Sequence, residues 1–131
     1  MGKFSLLLCG CAFMMLSCGD KSANDRAYAE EKGGELLKQA RAAYEAGEFQ
    51  TAIQLIDSVR VAYPLAFEVR EQGILLKDSV CLEEAKTELN KIIEVGGAAQ
   101  DIEELQTKIT FYLRKLQHDV EQRKTHEISK D

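Results

Sequence analysis

The chain has 131 residues, 45% of them hydrophobic and 30% charged, with no Trp and one Pro. That balance fits one globular domain and excludes a multi-span membrane protein or a disordered tail, while the lack of sustained Val/Ile/Thr alternation argues against an all-β chain. A formal net charge of −5 argues against nucleic-acid binding through a basic face.

The N-terminus reads as an address. Met1-Gly2-Lys3 carries one positive charge, and Phe4 to Leu16 is an uncharged run. A spanning helix needs about 20 apolar residues, so this run has the length of a signal-peptide core instead. Polar sequence begins directly after Ser17-Cys18-Gly19, with Asp20, Lys21, Ser22 and Asn24. N-myristoylation needs Ser or Thr where Leu6 stands.

The arrangement resembles the signal peptide of a bacterial lipoprotein. Ser17 is the small residue that such signals place before the modified Cys, and Met15 stands where Leu is usual. The resemblance implies cleavage of residues 1–17 and acylation of Cys18. Cys11 is the poorer candidate, because its upstream apolar stretch is too short. Two or three acyl chains form a stable anchor. The resemblance also implies location in the bacterial cell envelope, with the outer membrane the expected site.

Processing changes the counts. The 17 basic residues lose Lys3 and become 16 against 22 acidic ones, a net charge of −6. Cys9 and Cys11 leave, Cys18 is consumed by lipid, and Cys81 remains as the one free thiol. An internal disulfide or a Cys-based zinc site is then excluded. Residues 18–34, polar and Ala-rich and ending in Gly33-Gly34, read as a lipidated Cys and a tether that is helical in part.

From Glu35 the apolar period is helical. Leu36, Leu37, Ala40, Ala43 and Tyr44 form one stripe. Gly47 stops it, and Phe49, Ala52, Ile53, Ile56, Val59 and Tyr63 form a second stripe that Pro64 ends. Residues 35–64 therefore predict two antiparallel helices joined by a tight turn. Ala40, Gly47, Phe49, Ala52, Ile56, Val59 and Pro64 fall in the register of a tetratricopeptide repeat, which this segment resembles; Leu36 stands where that family often has Trp. Small Ala40 and Ala52 suit close helix approach, Gly47 the turn, and Phe49 the crossing.

A second copy of the repeat starts near Leu65 and then loses its turn, because Asp78-Ser79-Val80-Cys81 stands where Gly and an aromatic are needed. Residues 65–95 read as one long helix, or two with a bend at Asp78-Ser79, closed by Gly96-Gly97. Asp101 and Glu104 form a capping-box-like start for a last helix. Ile102, Leu105, Ile109, Tyr112 and Leu116 follow near heptad spacing. One repeat cannot bury its own face. The long helices, within 65–123, are expected to cover it as an antiparallel, coiled-coil-like hairpin, and residues 124–131 to form a frayed tail. The fold class is all-α.

Chemistry is sparse. His118 and His126 lack a metal-site motif, and zinc needs about four converging ligands, so the expectation is no metal and no cofactor. Cys81 is followed by Leu82-Glu83-Glu84, and neighbouring carboxylates blunt a thiol, so it reads as an apolar seam residue. No phosphate loop, hydrolase elbow or dinucleotide fingerprint is present. The reading that follows is a non-enzymatic, membrane-tethered helical interaction module. Its partner is an unidentified protein or peptide, with Lys38, Arg41, Tyr44 and Glu45 on the inner helix as the partner-binding candidates. The alternatives are a self-assembling coiled-coil spacer, possible as a homo-oligomer, and an inhibitor or immunity-type lipoprotein.

Overall fold

The computed structural model describes residues 19–128, and these form four α-helices with no strand among them. They are α1 (Gly19–Glu45), α2 (Phe49–Ala62), α3 (Phe67–Glu94) and α4 (Ala99–Ile128). Residues 1–18, which hold the expected signal segment and the expected lipidation site Cys18, lie outside the described residues.

Two of the three turns close in the same way. Gly47 has φ of 77° and Gly96 has φ of 69°, a left-handed conformation that glycine adopts without steric strain. After α1, Gly47 N–H donates to Tyr44 O and Glu48 N–H to Ala43 O. After α3, Gly96 N–H donates to Ile93 O and Gly97 N–H to Ile92 O. Both are paired C-terminal bonds that satisfy the last carbonyls of the helix. The middle turn is different. α2 ends at Ala62, and Tyr63 to Ala66, containing Pro64, lead into α3.

The main core lies where α1, α2 and α3 meet. Leu37, Ala40 and Ala43 from α1 pack with Ala52, Ile56 and Val59 from α2 and Val69, Leu76 and Val80 from α3. Ala40 and Ala52 are fully buried, as close helix approach requires. Phe49, Tyr44 and Tyr63 are half-buried at its margin. α4 packs against α3 alone. Leu82, Ala85 and Leu105 are buried apolar residues of that second seam. Lys115 meets Asp78 and Arg123 meets Glu71, so the pair runs antiparallel.

Three boundaries differ from the sequence expectation, and between the two alternatives for α3 the structure has the single helix. α1 begins at Gly19, so residues 19–34 are helix throughout rather than a tether helical in part, and Ala29 and Gly33 are buried. A Cβ on Gly33 would lie 3.2 Å from that of Ala66, so Gly33 marks a close packing point, whereas Gly34 has ordinary space beside it. α3 is a single helix through Asp78-Ser79, where Ser79 Oγ donates back to Leu75 O at 3.0 Å. α4 starts at Ala99, placing Asp101 inside its first turn, where a carboxylate suits the positive helix end. It also continues to Ile128, into the segment expected to fray.

Candidate interaction site

α3 runs between α1 and α4, and these two stand on either side of one of its faces. The result is a crevice of about 500 Å³. Its α3 floor is Gln72, Leu75, Leu76 and Ser79, spaced three, one and three apart and therefore on one side of the helix. Arg41, Tyr44 and Glu45 form the α1 wall, and Arg123 the α4 wall. Toward the C-terminus of α4 the depression continues past Glu71 and Ile74 to Asp119, Gln122 and His126.

Three of the four candidates from the inner helix, Arg41, Tyr44 and Glu45, thus line one crevice. Lys38 is exposed on the same helix and does not line it. Tyr44 is half-buried, with its ring 6.3 Å from that of Phe49. Burial first, and the negative charge of Glu83 second, raise its phenol pKa above the ordinary value. Arg123 is held in place by Glu71, at 3.2 Å to its carboxylate and 3.3 Å to its carbonyl oxygen. Ile74 is 55% exposed at the rim. A floor of Leu with walls of Arg, Tyr and Glu suits a polypeptide segment, which offers apolar side chains and backbone polar groups together.

Gln72, Leu75, Ser79 and Arg123 were not among the candidates from sequence. The periodicity of α3 places the first three on a helix and no more. Their common side becomes a floor only because α4 sits away from α2.

A second polar cluster lies in the α3–α4 seam. Asp78 is 4% exposed, and Lys115 Nζ donates to its Oδ1 at 2.7 Å. Its Oδ2 is buried and has no hydrogen-bond partner. One turn along, the Tyr112 hydroxyl bonds to Cys81; this bond and burial push the Tyr112 pKa up to about 12. Cys81 is half-buried and free. Cys81 and Asp78 are the metal-ligating types at this point, and no group of three or more His, Cys, Asp or Glu among the described residues could hold a metal ion. His118 is exposed beside Asp119, at 3.6 Å, away from Cys81.

No protein-family model, curated protein or solved structure matches the chain. Among the described residues, no helix is long and apolar enough to cross a membrane.

Proposed function

We propose that the chain is a lipid-anchored, non-catalytic interaction module of the bacterial cell envelope. In this reading residues 1–17 are removed and Cys18 carries the acyl chains. The uncharged run before Ser17-Cys18 supports that part. The α1–α2 hairpin serves as a single tetratricopeptide-like unit, completed by α3. The observation that carries the interaction role is the crevice between α1 and α4, with Leu75 and Leu76 on its floor and Arg41, Tyr44 and Arg123 on its walls. Its occupant is an extended or helical segment of another polypeptide.

Site-specific photocrosslinking in intact cells tests this. A photoreactive residue at Arg41 or Gln72, inside the crevice, should give a discrete adduct with a second polypeptide. The same residue at exposed Gln54 on α2 should not. Equal yields at all three positions would overturn the assignment. Labelled palmitate tests the anchor separately: incorporation should stop with Cys18→Ala.

A second reading is self-assembly through α4. Leu113 and Val120 are seven residues apart on that helix, and are 42% and 46% exposed. Sedimentation of the protein in detergent separates the two readings, because a strict monomer excludes this one.

A further inference from the structure

The end of the bundle from which α1 emerges carries an unusual surface. α1 and α3 run parallel, since Glu30 of α1 accepts the N–H groups of Glu68 and Val69 at the start of α3. The last turn of α2, the Tyr63 to Ala66 connection and the first turn of α3 therefore all lie at the end where residues 1–18 join the body. Exposed apolar groups gather here: Val61 is 79% exposed, Tyr28 58%, Phe67 52% and Leu65 42%. The only Pro, Pro64, sits among them.

Cations accompany them. Arg26 lies over the Phe67 ring at 5.3 Å and reaches Glu68 at 3.7 Å. Arg70 donates to Pro64 O at 2.7 Å, and Arg60 is exposed in the last turn of α2. From residue 60 to residue 70 there are two Arg and one Glu; with Arg26 and Lys32 against Asp25, Glu30 and Glu31 of α1 this end is near neutral, in a chain whose net charge is −5. The opposite end, formed by the other two turns, carries Glu45, Glu48, Glu94 and Asp101.

We propose that this end rests on the lipid bilayer that holds the anchor, with Val61, Leu65 and Phe67 at headgroup depth and Arg26, Arg60 and Arg70 facing lipid phosphates. The inference rests on the lipid reading of Cys18. Three observations favour a bilayer over a protein as occupant. The chain outside the described residues joins the body at this end, and α1 starts at Gly19, immediately after the anchor residue. From Arg26 back to Gly19 is seven residues, about 10 Å of helix, so a tilt of α1 brings the end down to the interface. The mixture of aromatic, aliphatic and Arg side chains matches what bilayer interfaces collect, aromatic rings at headgroup level and cations near phosphates. An acyl anchor fixes one point only; this surface supplies the second contact that sets the orientation. The acidic far end then faces away from the membrane.

The absence of Trp makes a single introduced indole an unambiguous reporter. The full-length lipidated protein is placed in vesicles of phosphatidylethanolamine and phosphatidylglycerol, with and without brominated acyl chains. Phe67→Trp replaces one half-exposed aromatic by another and should lose about half its emission in the brominated vesicles, as expected for a ring at the interface. Val61→Trp should behave alike. Val95→Trp, at the far turn and 81% exposed, controls for the affinity of indole itself for lipid and should be unaffected. Flotation of the protein with vesicles, but no quenching in the Phe67→Trp and Val61→Trp variants, would overturn the inference and leave the anchor standing. Shielding of the Phe67→Trp reporter from an aqueous quencher without quenching by brominated lipid would assign the surface to a second copy, and would also overturn it. Failure of the protein to float would overturn the anchor and the inference together.

Discussion

Glu30 on α1 caps the start of α3: one carboxylate oxygen accepts the N–H of Val69 at 3.1 Å and the other that of Glu68 at 3.0 Å. α3 has no cap of its own, because Ala66 precedes it and offers no side-chain acceptor. The first N–H groups of any helix lack internal partners, and an anion near them also meets the positive end of the helix dipole. A residue 38 positions before Glu68 thus fills the role that Ser or Asp usually fills from within. Arg26 holds Glu30 from the other side at 3.9 Å.

Glu30→Ala should therefore destabilise the fold by about 1 kcal/mol, the usual cost of a lost N-cap. Glu30→Gln, which keeps one acceptor oxygen but not the charge, should lose less. Urea denaturation followed by circular dichroism measures both. No loss in Glu30→Ala would show that water satisfies these N–H groups equally well.

The Asp78–Lys115 pair predicts an asymmetry. The Asp78 side chain is 6% exposed and that of Lys115 40%. Lys115→Ala leaves a carboxylate buried without its partner and should cost about 2 kcal/mol, below the range for a wholly buried pair because water reaches the lysine side. Asp78→Asn leaves Lys115 free to turn to solvent and should cost less. The double change Asp78→Leu with Lys115→Met should come near to neutral, since removing both partners removes the desolvation penalty as well. Equal losses in the two single variants would contradict this account.

Gly33 and Gly34 should respond in opposite directions to Ala. Both lie inside α1, where Ala is favoured over Gly by up to about 1 kcal/mol. A Cβ on Gly34 would meet only Val69 Cγ2, at 3.9 Å, an ordinary contact. On Gly33 it would meet the Cβ of Ala66 at 3.2 Å and Val59 Cγ1 at 3.4 Å. Gly34→Ala should raise the melting temperature. Gly33→Ala should lower it, because Ala66 belongs to the start of α3 and has no flexible side chain to move aside. Thermal unfolding of the two variants side by side decides it.

The same pair shows where the sequence ceases to be legible. The turn at Gly47 and the stop at Gly96 are readable because positive φ is a local demand with a local signature. The stripes of α1 and α2 are readable from their period, and so is the burial of Ala40 and Ala52. Gly33-Gly34 looks like a linker because its reason is tertiary: α1 must pass Ala66 closely, and nothing nearby in the chain says so. Asp78-Ser79 leaves a bend open in the sequence for a similar reason. A carboxylate in a buried helix face becomes intelligible only with Lys115, 37 residues later, beside it. Arg41, Tyr44 and Glu45 can be placed on one helix face from spacing alone. That they face Arg123 across a crevice depends on the packing of α4 against α3 and not α2, which no period encodes.

Tyr112 yields the pH prediction. Its bond to Cys81, together with burial, raises its pKa from 10.0 to about 12. In the unfolded chain the phenol returns to about 10. Between these values the folded protein keeps the proton that the unfolded chain has lost, so stability falls as pH rises. The stabilisation is fully present below pH about 10 and is lost as pH passes through about 12. Cys81→Ala removes the first cause of the shift. Phenolate absorbance in an alkaline titration of that variant should rise at lower pH than in the parent, and by the amount contributed by one Tyr of the four. Its denaturation midpoint should also depend less steeply on pH in the same window. Superimposable titration curves for the two proteins would show that the thiol does not hold the Tyr112 hydroxyl.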